Sequence, residues 1–223
     1  MKEISAFDVI GPLMIGPSSS HTAGAQRIAL LARKLFKGEP KKARFVLYGS
    51  FAETYRGHGT DRALVAGILG FQSHDERIGR SFSCAAEAGL EVEFAFDTEN
   101  RDVHPNTADI FLWGKNGETL WVRGVSPGGG RAEIRGIDGV AITLSGDYHT
   151  ILVEHEDAPG MVAHIAGKLS ENRINIAFMR LYREAKGAKA YTIIEADEEI
   201  PKAVLHAIED HRGVAGAMLI QDM

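Results

Sequence analysis

Residues 149–173 read "HTILVEHEDAPGMVAHIAGKLSENR" and contain a strand, a tight turn and an amphipathic helix, in that order. A short apolar run precedes the turn, and apolar residues recur at helical spacing after it. Four further segments continue as strand, strand, helix and strand: "INIAFMRLYREA", "KAYTIIEAD", "PKAVLHAIEDH" and "VAGAMLIQ". The order βαββαβ predicts a ferredoxin-like domain at this end of the chain.

The preceding half begins with helices and ends with strands, which is typical of an α+β domain with a mostly antiparallel sheet. Helices are predicted over 25–36, over 60–70 with Thr60 or Asp61 as cap and Gly70 as stop, and over 74–89. The predicted strands are 43–49, 91–97, 108–114, 118–126, 131–137 and 140–146. We therefore expect two domains, 1–147 and 148–223.

The composition is that of an ordinary globular protein, with 44% hydrophobic and 25% charged residues and a net charge of −5. Because the charges form no long single-sign block, nucleic acid and anionic membranes are poor candidates for partners. No apolar run approaches the roughly 20 residues that cross a bilayer, and "MKEISAFDV" lacks the apolar segment of a signal peptide. We expect a cytoplasmic protein.

Cys84 is the one cysteine of the chain. It therefore forms no internal disulfide, and by itself it cannot hold a zinc ion or an iron–sulfur cluster. Unpaired cysteines are usually buried, so Cys84 is predicted to be a small hydrophobic residue of the third helix.

The densest polar segment, "MIGPSSSHTAGAQRI" at 14–28, lies where the first helix begins. A helix N-terminus offers free backbone N–H groups and the positive end of the helix dipole, which favour an anion such as a carboxylate. Three serines, a histidine and a threonine add hydrogen-bonding side chains. The alternative is ordinary capping, which needs only one hydroxyl.

Three other segments are rich in residues that suit either a binding site or a turn. His58 stands between two glycines in "YRGHGTDRA", His104 and Asn106 flank a proline in "VHPNTAD", and three glycines follow one another in "SPGGGRAE". Each segment taken singly is more typical of a turn. A Ser–His nucleophile within "SSSH" is unfavourable because adjacent residues rarely face each other. No phosphate loop, dinucleotide fingerprint or zinc spacing is present.

These motifs together resemble the β subunit of bacterial iron–sulfur-dependent L-serine dehydratases. The resemblance is carried by "FDVIGPLMIGPSSSHTAGAQRI", "GSFAETYRGHGTDRALVAGILGF", "HPNTADI", "GGGRAEI" and the segment "EDAPGMVAHIAGKLSENRINIAFM". It implies an allosteric substrate-binding-like α/β domain followed by an ACT domain. It also implies a separate α subunit that carries a [4Fe–4S] cluster. The implied activity converts L-serine to pyruvate and ammonia and feeds gluconeogenesis.

The resemblance further implies how the site works. One iron of the partner's cluster would act as a Lewis acid on the serine hydroxyl while a base removes the α-proton, and the resulting aminoacrylate would hydrolyse to pyruvate. No metal ligand is assigned to this chain, and either histidine of the flanking segments could be the base. The substrate-binding candidates are Ser18, Ser19, Ser20, His21, Thr22 and Asn106, and the catalytic candidates are His58 and His104.

ACT domains often pair and bind amino acids at the turn after their first strand. In this chain the corresponding regulatory candidates are Asp157, Pro159, Gly160 and Asn175. The turn could equally serve only to cap a helix, with the domain acting as a self-association interface.

A non-catalytic amino-acid-sensing regulator is the alternative function, because similar domain pairs act as control modules on phosphoglycerate dehydrogenases. The chain begins with the serine-rich segment and no dehydrogenase domain precedes it, which favours the lyase.

Overall fold

The computed structural model describes residues 13–221. The "MKEISAFDV" segment and the start of the "FDVIG" motif lie outside the described residues. The chain divides into two compact units between Asp138 and Gly139. The predicted domain boundary at 147 stays a prediction.

The first unit places its helices early and its strands late, as the sequence predicts. Its helices are α1 (Ala25–Leu35), α2 (Gly49–His58), α3 (Thr60–Ile68) and α4 (Ser81–Glu87), with a π-helical turn at Ser19–Gly24 and a 3₁₀ turn at Glu76–Arg80. Its strands are β1 (Pro40–Tyr48), β2 (Glu91–Asp97), β3 (Thr107–Gly114), β4 (Thr119–Gly128) and β5 (Arg131–Ile137).

The five strands follow the order β2-β1-β3-β4-β5. Only β1 and β2 are parallel among these neighbours, so the prediction of a mostly antiparallel sheet is confirmed. Phe45, Ile110 and Val122 share one face in register and are fully buried. Helix α1 approaches this face so closely that a Cβ atom on Gly124 would overlap the side chain of Ile28.

The other face of the sheet carries an ion pair between the partly exposed Arg123 and the buried Asp109. Nε and Nη2 of Arg123 each donate a hydrogen bond to the carboxylate of Asp109 at 2.7 Å. The Tyr48 hydroxyl donates to the same carboxylate at 2.9 Å. Asp109 is 4% exposed. The hydrogen bonds that Arg123 donates to Asp109 raise the pKa of Arg123, while burial, followed by the bond to Asp109, raises the pKa of Tyr48.

Four predictions for the first unit need correction or addition. Helix α2 was not predicted, and the predicted helix over 74–89 is a 3₁₀ turn followed by α4. The prediction that Thr60 or Asp61 caps α3 is wrong, because Gly59 occupies the cap in the left-handed region (φ +67°) and no side chain caps it. The predicted end at Gly70 is confirmed, since this residue adopts φ +82°. Cys84 lies in α4 as predicted but is only partly buried.

The second unit confirms the ferredoxin-like prediction. Its elements are β6 (Val140–Leu144), β7 (His149–Glu156), α5 (Met161–Glu171), β8 (Ile176–Arg183), β9 (Lys189–Ala196), α6 (Lys202–Glu209) and β10 (Val214–Ile220). From β7 onward the order is βαββαβ, and the four strands form an antiparallel sheet in the order β10-β7-β9-β8. Both helices bury apolar residues such as Ile165 and Val204 against it.

No helix between residues 13 and 221 combines the length and the apolar character needed to span a membrane.

Candidate functional site

The serine-rich segment forms a π-helical turn that leads directly into α1. We call Ser18–Thr22 the serine turn. Ser18 has extended backbone angles, and its Oγ accepts a hydrogen bond from the backbone N–H of His21 at 3.1 Å. The Ser18 carbonyl accepts from the N–H of Thr22 at 2.9 Å. The prediction that the polar cluster is a helix N-terminus is confirmed, and such wide turns are frequent at functional sites.

A chain of hydrogen bonds runs through the serine turn to another helix. Ser18 Oγ lies 3.4 Å from Ser20 Oγ, and Ser20 Oγ lies 3.0 Å from His21 Nδ1. On the other side of the ring, His21 Nε2 lies 2.8 Å from Oγ of Ser50, near the start of α2. Ser19 is half-buried within the turn. Both ring nitrogens of His21 therefore have hydroxyl partners.

The serine turn also meets the end of α2. The ring centroids of His21 and His58 are 4.8 Å apart, and Thr22 donates its hydroxyl to the His58 carbonyl at 2.8 Å. Burial, and then the nearby charge of His58, hold the pKa of His21 below its usual value. His21 is therefore neutral at pH 7. Thr22 is 3% exposed, so its hydroxyl ties the turn to α2.

His58 has an asymmetric environment. Its Nδ1 is buried and has no hydrogen-bond partner within residues 13–221. A buried N–H group without a hydrogen-bond acceptor costs more free energy than a buried lone pair without a donor. Unpaired buried N–H groups are accordingly rare in native proteins. Of the two tautomers of an uncharged His58 ring, this environment favours the one with its proton on Nε2, from which His58 donates a hydrogen bond.

The loop that contains His104 and Asn106 is fastened to two elements. Its Pro105 carbonyl accepts from the N–H of Phe51 in α2 at 3.2 Å. Asn106 Nδ2 donates to the Ser126 carbonyl at 3.3 Å, and the Ser126 N–H donates back to the Asn106 carbonyl at 3.0 Å. His104 itself is exposed, and its Nδ1 accepts from the Asn106 N–H at 3.1 Å.

The glycine-rich segment "SPGGGRAE" reaches the π-helical turn Ser19–Gly24 through Ser126, which packs against Gly24. Ser126 is fully buried, and a Cβ atom on Gly24 would overlap its Oγ and lie 3.2 Å from the Arg131 carbonyl. Only glycine permits this approach of the turn to β4 and β5. The four polar segments thus meet at one end of the first unit. The serine turn contacts His58 directly, and Gly24, just after the serine turn, packs against Ser126, which is hydrogen-bonded to Asn106. His104 lies on the same loop as Asn106.

The regulatory candidates of the second unit lie at two ends of one helix. Asp157 Oδ2 accepts from Arg183 Nη1 at 3.0 Å and from the Gly187 N–H at 2.9 Å, and these bonds, the backbone one first, lower the pKa of Asp157. Pro159 and Gly160 are exposed just before α5.

Asn175 is exposed beyond the other end of α5 and borders an open cavity of about 380 Å³ that Ser170 and Arg173 also line. The 11 residues of α5 span about 16 Å, so one chain does not bring Asp157 and Asn175 together.

Comparison with known proteins identifies the family of the chain. The family model for the serine dehydratase beta chain matches residues 5–132, and the model for the ACT domain matches residues 149–213. The probable L-serine dehydratase beta chain of Bacillus subtilis is 46% identical over 92% of this chain and 92% of its own length. The L-serine dehydratase beta chain of Peptoniphilus asaccharolyticus is 40% identical over 93% of this chain and 94% of its own. The chain belongs to the serine dehydratase beta chain family.

A longer relative contains only part of this beta chain. The L-serine dehydratase of Streptomyces coelicolor is 36% identical over 53% of this chain, and the match covers 28% of the Streptomyces protein. A unit similar to this beta chain therefore occurs within a much larger polypeptide.

Two residues of the beta chain's site escape the sequence analysis. Ser50 and Ser126 are single serines in segments that otherwise read as a strand end and a loose hairpin. The signal for Ser50 was its position directly after a buried strand and a glycine, where a helix N-terminus can present a hydroxyl. Ser126 gives no local signal, because its importance depends on the close approach of Gly24.

The described residues of the beta chain provide no set of ligands for a metal ion. Within residues 13–221 no group of three or more His, Cys, Asp or Glu side chains is arranged to hold a metal ion. A [4Fe–4S] cluster is held by four cysteine thiolates, and the single partly buried Cys84 does not fit that requirement.

Proposed function

We propose that this chain is the β subunit of an iron–sulfur L-serine dehydratase that converts L-serine to pyruvate and ammonia in the cytoplasm. The observation that carries the proposal is the convergence of the serine turn, His58 and the Asn106 loop at the N-terminus of α1. The chain's own contribution is to bind and orient the substrate. The cluster, in this proposal, belongs to a partner α subunit.

The serine turn binds the substrate carboxylate. It sits at the positive end of α1, where the helix dipole and the serine hydroxyls favour an anion. Ser18, Ser19 and Ser20 are half-buried, so their hydroxyls lie within reach of a small ligand. Because His21 is neutral at pH 7, it orders the neighbouring hydroxyls without adding a charge that would need its own counter-ion.

The two histidines both offer the reaction a hydrogen-bond donor. In the neutral tautomer that its buried Nδ1 favours, His58 donates a hydrogen bond from Nε2 and is suited to holding a substrate oxygen. His104 is exposed, and its Nδ1 accepts a hydrogen bond from its own loop. Of the two, His104 keeps Nε2 open to solvent and substrate. Because Nδ1 of neutral His104 is the acceptor, its proton lies on Nε2, so both histidines present an Nε2–H donor. The donor of His104 is exposed and that of His58 is half-buried, and we assign hydrogen bonding to the substrate to both.

The requirement for a partner follows from the ligand inventory of the chain. One cysteine does not hold a [4Fe–4S] cluster, which needs four thiolates. The Streptomyces relative is far longer than the part matched by this chain, which supports a second polypeptide with the remaining functions.

The second unit supplies self-association and regulation. Asp157 and Asn175 lie at opposite ends of α5, so an amino-acid site that uses both needs two copies of the unit. Exposed Phe178 and Leu181 on the edge strand β8 favour pairing there. Asp157→Ala is expected to change activation by serine or subunit pairing and to leave single-turnover chemistry at saturating serine intact. Loss of that chemistry would contradict the assignment.

The deciding experiment measures anaerobic pyruvate formation from L-serine by this chain, by its cluster-bearing partner, and by the two together with iron and sulfide. Pyruvate formation by the mixture, and by neither chain separately, supports the proposal that this chain is an obligate subunit of the enzyme. A partner that is fully active alone would contradict it and favour the regulator.

Variants then test the carboxylate site. Ser20→Ala and His21→Ala are expected to raise KM for serine or to abolish turnover while the chain stays folded. Ser83→Ala, on the exposed side of α4, and His206→Ala, on the exposed side of α6, are the matched controls. Unchanged kinetics in both site variants would refute carboxylate binding by the serine turn.

A further inference from the structure

His21 is held between two hydroxyl groups from different parts of the chain. Ser20 Oγ faces Nδ1 at 3.0 Å and Ser50 Oγ faces Nε2 at 2.8 Å. A neutral imidazole has one donor and one acceptor nitrogen, so one hydroxyl must donate to the ring and the other must accept from it.

Ser50 is the more rigid of the two partners. It lies in the first turn of α2, and its carbonyl accepts the Thr54 hydroxyl at 2.7 Å. The next residue, Phe51, is fully buried, donates its N–H to the Pro105 carbonyl, and presents its ring to the edge of His21 at 5.3 Å. Ser20, by contrast, adjoins His21 within the turn itself. Ser50 is therefore the fixed point against which the ring is oriented.

We propose that Ser50 is a positioning residue that donates its hydroxyl proton to His21 Nε2 and so sets the direction of the whole hydrogen-bonded chain. The argument rests on the proposed carboxylate site. A carboxylate only accepts hydrogen bonds, so Ser20 must donate its single proton to it. Ser20 Oγ then accepts from His21 Nδ1–H, which leaves Nε2 as an acceptor and Ser50 as its donor.

This direction has a measurable electrostatic consequence. A bond donated to Nε2 exists only while the imidazole is neutral, so it opposes protonation of His21. The titratable group that faces His21 from α2 is His58, which lowers the pKa of His21 in the same sense. Removing the Ser50 hydroxyl is therefore expected to raise the pKa of His21.

The test uses ¹⁵N-histidine-labelled full chain and NMR titration, with His21→Gln to assign the resonance. We expect the Nδ1–H tautomer of His21 with saturating L-serine, and a higher pKa of His21 in Ser50→Ala. Ser50→Thr, which keeps the hydroxyl, should restore the parent pKa. Ser83→Ala removes an exposed hydroxyl from α4 and should leave it unchanged. An Nε2–H tautomer in the parent chain, or an unchanged or lower pKa in Ser50→Ala, would overturn the proposal.

The kinetic arm separates this proposal from the proposed function. In the reconstituted enzyme, Ser50→Ala should raise KM for serine about 10-fold, the equivalent of one hydrogen bond, with a smaller effect on kcat. If no mixture forms pyruvate, the lyase assignment fails, while the tautomer and pKa of His21 in the isolated chain with saturating L-serine still decide whether Ser50 donates to His21. If pyruvate forms and KM does not move, Ser50 is not a positioning residue.

Discussion

Helices α1 and α3 cross at Gly67, and the substitution Gly67→Ala is expected to destabilise the first unit. A Cβ atom at this position would overlap the Gln26 carbonyl oxygen and would lie 2.6 Å from Cβ of Ala29 and 2.8 Å from the backbone nitrogen of Leu30. Backbone atoms cannot rotate away as a side chain can. The two helices would therefore have to separate.

The cost follows from the distances. Carbon atoms prefer a separation of about 3.5–4.0 Å, so the helices would move apart by about 1 Å and weaken every contact along the crossing. Overpacking of a core costs about 1–3 kcal/mol, and the upper end applies because the clash is with backbone. Alanine is better than glycine in a helix by about 1 kcal/mol. The expected net loss in the free energy of unfolding is about 2 kcal/mol.

Gly57→Ala is the matched control, because Gly57 lies within α2 and a Cβ atom there meets no atom within 4 Å. It should stabilise the unit by up to about 1 kcal/mol. The chain's two tryptophans, Trp113 in β3 and Trp121 in β4, allow urea unfolding of this unit to be followed by fluorescence. If both alanine variants were stabilised equally, the close crossing of α1 and α3 would be refuted.

Three further predictions concern charged groups. His58→Gln should raise the pKa of His21 but leave it below the ordinary value, because burial, the larger cause of the shift, remains. NMR titration of His21 measures the change, and an unchanged pKa would contradict the interaction between the two histidines. Arg123→Met leaves the buried Asp109 carboxylate without its bidentate partner and should cost about 3 kcal/mol in urea unfolding followed by circular dichroism. Because the pKa of Asp157 is depressed in the folded chain, its contribution to stability is present above about pH 4 and disappears as the pH falls through the folded-state pKa. The melting temperature of Asp157→Ala should therefore lie below that of the parent at pH 7 and converge with it in acid, and a constant difference would count against this.

Local patterns allowed much of the fold to be predicted from sequence. Strands β2, β5 and β7 have the predicted bounds, and the βαββαβ order of the second unit follows from periodicity and turn residues. The serine turn was also predicted at the start of α1, because capping depends on residues within one helical turn of each other. Helix α2 was missed because its residues 49–58 are partly exposed and include two glycines, which gives a weak helical pattern.

Which side chains meet at the site was decided by the tertiary structure. Ser50 is 29 residues from His21, and Ser126 is 20 residues from Asn106, so neither contact has a local signature. These contacts exist because β3 lies between β1 and β4, which brings the start of α2, the Asn106 loop and the end of β4 to one end of the sheet. Sequence alone determined the chemistry available at each segment, since that depends on residue type and local hydrogen bonding. The sheet order decided how those segments combine, because it brings together residues that are distant along the chain.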